Sequence, residues 1–202
     1  MHSPQIRKLI DLFSKFPTVG PRTAARFVFY LLGLSEEEIK ELTSEILKLK
    51  ENVRLCESCF KSFEPSQTDN NLKLCEICRD HSRKKELLCI VEKETDLIPI
   101  EKTKKYRGLY FILGGTVSSL KKDGLKKLRV KELLDKIKNP IIEEVIIALN
   151  PTTEGESTAL YLERQLKPFN KKTTRLGRGL PMGAELEYTD DETLSSALES
   201  RR

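Results

Sequence analysis

The sequence predicts a modular α+β protein: helices first, then a small module built on cysteines, then an α/β domain over a mostly parallel sheet, and a C-terminal tail. Three observations predict it. Apolar residues recur at helical spacing before residue 55, four cysteines stand at 56, 59, 75 and 78, and beyond them short apolar runs alternate with helical patterns. These changes of character divide the chain at 1–54, 55–80, 81–176 and 177–202.

In the first segment Ile6, Leu9, Ile10 and Phe13 fall at i, i+3, i+4 and i+7, the stripe of an amphipathic helix. Ser35 followed by Glu38 reads as a capping box, and Ile39, Leu42, Ile46 and Leu49 continue the helix it opens. Between these helices, Pro17, Gly20 and Pro21 mark a tight turn. Pro21 suits the first helical position, Ala24 and Ala25 permit close helix approach, and Arg22 and Arg26, four apart, share one face.

Cys56 and Cys59 form one C-x2-C pair and Cys75 and Cys78 a second, fifteen residues on. Two such pairs complete a tetrahedral thiolate shell around one Zn2+, leaving no position for water, so the site is structural rather than catalytic. The intervening loop, 60–74, carries Pro65, Ser66, Gln67, Asp69, Asn70 and Asn71 and has too few apolar residues to order itself. On this reading Cys75→Ala unfolds the loop and leaves the following sheet largely intact. The alternatives are a pair of disulfides, which a reducing compartment disfavours, or four unrelated thiols. Cys89 sits in an apolar run and reads as core; His81 reads as a surface residue.

Residues 87–91, 108–113 and 145–149 are strand-length apolar runs, separated by helical patterns near 96–102 and 130–138 and followed by 157–166. That alternation implies a covered, mostly parallel sheet. No apolar stretch approaches a membrane span and the N-terminus has no apolar signal core, so a soluble cytoplasmic protein is expected. The net charge of +5 is uneven. Residues 1–30 carry five Lys/Arg against Asp11 alone, 167–178 carry five with no acid, and 185–199 are acidic. Segregated basic patches suit a polyanion, though scattered lysines also simply solvate a surface.

The segment from Phe16 to Arg26 resembles a helix-hairpin-helix, whose turn points backbone N–H groups at a nucleic-acid phosphate without reading sequence. Thr18 stands where the first glycine of that motif is usual, and because a threonine resists positive φ either an altered turn or a weakened phosphate grip is expected. Glu92 after the first apolar run and Asn150-Pro151-Thr152-Thr153-Glu154-Gly155-Glu156 after a later one are similar to the Toprim domain of topoisomerases and primases. Its catalytic members carry Asp-x-Asp after that run, whereas this chain has Asn150 at the first position and its next carboxylates are Glu154 and Glu156, so an incomplete oxygen cage for Mg2+ is expected.

Taken together with the tail from Arg175-Leu176-Gly177 to Glu187-Tyr188, these segments resemble the RecR family of bacterial recombination proteins along nearly the whole chain. Ser119, Lys121 and Arg178 depart from the usual family residues. The resemblance implies a non-enzymatic mediator of DNA repair, a ring-forming homo-oligomer, dimer to homotetramer, whose hairpin domains pair between subunits and line the hole. It acts with RecO and RecF to load RecA onto single-stranded DNA near the nucleoid. It implies Arg22 and Arg26 as sequence-independent DNA contacts, a zinc held by Cys56, Cys59, Cys75 and Cys78, and Glu92, Asn150, Glu154 and Glu156 as an acidic, partner-binding Toprim face. The tail glycines lack the G-K-[ST] of a phosphate loop, so no nucleotide hydrolysis is expected. Two other readings compete: a Mg2+-dependent Toprim enzyme, primase-like or nuclease-like, using Glu92, Glu154 and Glu156, and a zinc-ribbon interaction protein with no DNA role.

Overall fold

Ser3 and Pro4 open the first helix. The computed structural model describes residues 2–66, 71–117, 128–177 and 179–201. Ser119, Lys121 and Arg178, with Gln67, Asp69 and Asn70 of the cysteine loop, lie outside the described residues. The chain forms two compact units, Met1–Val53 and Arg54–Arg202. No helix among the described residues is long and apolar enough to cross a membrane.

In the first unit, Ser3 caps α1 (Pro4–Phe13) by accepting from the Ile6 N–H. A turn leads to α2 (Pro21–Leu32), and Ser35 and Glu38 form the expected reciprocal capping box at the start of α3 (Glu36–Asn52). Hydrogen bonds from the Ser35 backbone and then its hydroxyl hold the Glu38 carboxyl below the usual range. α1 packs on α2, burying Ala24 and Val28, while the Phe13 ring meets Phe16 and Phe27 edge-on at 5.6 and 6.0 Å. α3 buries none of its residues, and Leu42, Ile46 and Leu49 of its apolar stripe are exposed.

The second unit opens with a two-stranded antiparallel ladder, β1 (Arg54–Leu55) and β2 (Ser62–Phe63), and the short α4 (Glu76–Arg79). β3 (Lys84–Val91), α5 (Glu94–Lys102), β4 (Gly108–Ile112), α6 (Val130–Ile137), β5 (Glu144–Ala148), α7 (Thr153–Leu166) and β6 (Lys172–Arg175) follow. The tail adds α8 (Asp191–Glu199). The four strands β3 to β6 lie in the order β4-β3-β5-β6, every pair parallel.

Strand alternation sorts the apolar runs onto two faces. Leu88 and Ile90 join Phe111, Leu133, Ile137, Val145 and Leu162 under α6 and α7. Cys89 and Val91 join Leu97, Tyr110 and Ile112 on the other face, and burial pushes the Cys89 thiol up to about 12. This second cluster also contains Cys56, Cys59, Cys75, Phe63 and Ile77. The cysteine module therefore shares a core with the sheet, which corrects the expectation that it opens alone. Its attachments are specific: the Ile112 N–H donates to the Cys59 carbonyl at 2.9 Å, Phe60 packs edge-on against Phe111, and Arg129 lies over the Phe60 ring at 4.5 Å. Glu94 accepts from both the backbone and the hydroxyl of Ser62, and Lys136 reaches the Ser58 carbonyl at 2.9 Å.

Candidate functional site

Each C-x2-C pair bends back on itself at a short turn. The Phe60 N–H donates to the Cys56 carbonyl at 2.9 Å, and Phe60 takes φ +64°, while the Arg79 N–H donates to Cys75 at 3.1 Å. The four sulfurs come within 4.8 Å of one another, with Cys59 Sγ and Cys75 Sγ 3.5 Å apart. A disulfide needs about 2.05 Å, and a tetrahedron of sulfurs about 2.3 Å from a metal has edges of about 3.8 Å. The geometry fits a metal shell, and all the cysteines are free thiols. Hydrogen bonds from Cys59, Cys75 and Cys78 drive the Cys56 thiol far down; Cys59 and Cys78 are pushed up, each chiefly by the Cys56 sulfur. The four sulfurs split their protons unevenly, Cys56 and Cys75 lowered and Cys59 and Cys78 raised, and a cation between them would favour the thiolate form of all four. Among the described residues this is the one cluster of three or more such ligands. His81 is exposed and outside it.

At the hairpin, Thr18 does adopt the left-handed backbone, φ +64°. The expected alteration of the turn does not occur. The Val19 N–H closes it onto the Phe16 carbonyl at 3.1 Å, and the Thr18 hydroxyl donates to the Pro17 carbonyl at 2.6 Å. These contacts and the flanking helices hold a conformation that costs a β-branched residue roughly 1–2 kcal/mol. Gly20 caps α2 without a side chain and its carbonyl accepts from Ala24, which leaves the first-turn N–H groups of Arg22 and Thr23 outside the helical ladder. Arg22 and Arg26 are exposed and make no ion pair with Glu36, Glu37 or Glu38. Glu36 instead pairs with Lys40 at 3.3 Å.

The Toprim residues divide into two groups. Glu92, at the end of β3, receives the Asn150 amide at 3.4 Å and the Lys93 ammonium at 3.4 Å. Thr152 spends its hydroxyl accepting from the Gly155 N–H at 3.1 Å as the cap of α7. Glu156 takes a hydrogen bond from Arg175 at 2.8 Å. The same guanidinium bonds Glu163 at 2.7 Å, and this, ahead of Glu156, raises the arginine's pKa. Glu154 is exposed on the first turn of α7. Asn150, Glu156 and Arg175 line a cleft of about 640 Å3 together with Asp190 and Glu192 of the α8 segment. The acidic residues therefore do not converge on one point among the described residues.

Gly155 explains itself. A Cβ there would lie 1.9 Å from the Asn150 carbonyl oxygen, so the start of α7 and the Asn150 loop can meet only over a glycine. Gly155→Ala is expected to cost about 1–3 kcal/mol and to displace Asn150 from Glu92; thermal unfolding checks the first and a crystal structure the second. Sequence reasoning missed the Glu156–Arg175–Glu163 network, because no periodicity links a helix to a later strand. Tyr110 is buried against Tyr106, Tyr161 is half-buried against the core, and Tyr30 and Tyr188 are exposed.

Three stretches of the chain match family models: residues 6–49 the RecR helix-hairpin-helix, 86–177 the Toprim domain and 179–202 the RecR C-terminal region. The chain is similar to the recombination protein RecR of Rippkaea orientalis (strain PCC 8801 / RF-1), 41% identical over 203 residues that span 100% of this chain and 98% of that protein. With a hairpin, a four-cysteine centre and a Toprim sheet in that order, the chain belongs to the RecR family of recombination proteins.

Proposed function

We propose that this protein is a non-enzymatic mediator of recombinational repair that grips DNA of any sequence and, with RecO and RecF, helps load RecA onto single-stranded DNA. The observation that carries the reading is the hairpin itself: exposed, unpaired Arg22 and Arg26 beside open N–H groups at the start of α2. Residues 1–54 serve as the DNA-binding module, 55–80 as a structural zinc module with one Zn2+ per chain, 81–176 as the Toprim domain and 177–202 as a tail. Zinc is the metal because four thiolates in a closed tetrahedron suit it and leave no open catalytic position.

The assembly is a homo-oligomeric ring, dimer to tetramer. Its support is apolar surface on the first unit: Phe16, Phe29, Tyr30 and Leu32 are each about half exposed or more, as is the outer stripe of α3. A ring lined by hairpins selects DNA by shape and phosphate charge. The protein works in the cytoplasm at the nucleoid.

The Toprim face docks partners and does not transfer phosphate. Support for this is that Glu92 receives Asn150 and Lys93, and Glu156 receives Arg175, contacts that compete with an oxygen cage for Mg2+. Incubating the protein with Mg2+, labelled DNA and nucleotides is expected to give binding without cleavage or synthesis. Glu154→Gln is expected to leave that binding unchanged and to weaken partner docking. Mg2+-dependent turnover that disappears in this variant would contradict the proposal.

A further inference from the structure

The two edges of the main sheet are treated differently. At the β4 edge the Ile112 N–H, pointing away from β3, is taken by the Cys59 carbonyl, so the cysteine module closes that side. β6 is the other edge. The Lys172 N–H donates inward to the Glu143 carbonyl at 3.0 Å, and parallel register with β5 continues through Arg175. By the alternation of a parallel ladder, the N–H and C=O of Thr173 then face outward.

A cleft of about 600 Å3 runs along this edge against α7. Leu160, Arg164 and Lys167 fall at i, i+4 and i+7, one stripe along the helix and the turn that follows, and Leu160 is 50% exposed. Lys171, Lys172 and Thr173 form the opposite wall. Glu163 is the one acid in the lining, and Arg175 already holds it at 2.7 Å. Glu144 answers Lys172 at 2.9 Å. Arg164, Lys167 and Lys171 have no acidic partner among the described residues; Lys171 reaches only the Asn139 carbonyl at 3.4 Å.

From this we infer that β6 is a docking strand for an extended acidic segment of a partner protein, which adds to the sheet as a fifth strand. The backbone of Thr173 supplies the pairing, Leu160 an apolar floor, and Arg164, Lys167 and Lys171 the charge complement. A nucleic acid would use the cations and leave the outward amide and carbonyl of Thr173 idle. Strand addition uses both.

Fluorescence anisotropy of a labelled decapeptide alternating Glu and Val, titrated with the full-length protein, tests this. Saturable binding is expected. Arg164→Ala combined with Lys167→Ala should weaken it about tenfold, and Thr173→Pro, which removes an outward N–H but no inward ladder bond and no charge, about fivefold. The peptide N-methylated on alternate amides tests the same pairing on unaltered protein and should also lose about fivefold or more in one of its two registers. No saturable binding overturns the proposal, as does full affinity of both methylated registers. So does a single-stranded oligonucleotide whose affinity falls with the charge variant while the peptide's does not, since the cleft is then a phosphate surface.

Discussion

Stripping the metal, or replacing Cys75 with Ala, is expected to destabilise the whole second unit and not the cysteine loop alone. Phe63 and Ile77 are 8% and 5% exposed, and they pack with Cys89, Val91, Leu97 and Ile112 on one face of the sheet. Releasing these two side chains and Phe60 forfeits about 1.5–3 kcal/mol each. The loss is comparable to the stability of an ordinary domain, and for a unit of this size it lowers the melting temperature by roughly 10 °C or more. The Ile112–Cys59 hydrogen bond and the Arg129–Phe60 contact go with it, uncovering the β4 edge. Elemental analysis should find one zinc per chain, and thermal unfolding with and without chelator should show the drop. An unchanged melting curve after metal removal would mean that the module is an independent appendage. Two disulfides in metal-free protein would remove the metal centre altogether.

The double variant Arg22→Ala, Arg26→Ala is expected to lose DNA affinity equally across sequences. Each arginine that neutralises a phosphate releases a counterion, so each contributes about 0.9 to the slope of log K against log salt on duplex and about 0.7 on a single strand. Losing both flattens the slope by about one to two per engaged subunit. Neither side chain supports the fold: the buried residues of α2 are Ala24 and Val28, on another face. Folding and metal content should therefore be those of the unaltered protein.

Much of this was legible in the sequence because the signals were local. Cysteine spacing fixes a ligand set, the Ser35–Glu38 box opens α3, and the continuous apolar runs became β3, β4 and β5 within a parallel sheet. α7 begins four residues before its apolar pattern, since Thr152 caps it over a glycine whose need is set by the Asn150 loop. β6 escaped notice: Lys-Thr-Thr-Arg has no apolar run, and an edge strand needs none. Thr18 misled for the opposite reason, as local preference argued against a turn that the surrounding contacts impose. The union of the cysteine module with the sheet was invisible, because Phe60, Phe63 and Ile77 declare their partners only in three dimensions.

The central claim is sequence-blind DNA binding through the hairpin of an assembled ring, and a salt titration of DNA affinity with the oligomer mass recorded on the same sample tests it most directly. The account predicts an oligomer of unchanged mass in the Arg22→Ala, Arg26→Ala variant, weaker binding to every sequence tried, and a slope flatter by about one to two. An unchanged affinity and slope would place the DNA on another surface, and a dissociated variant whose monomer keeps normal affinity would make these arginines assembly residues instead.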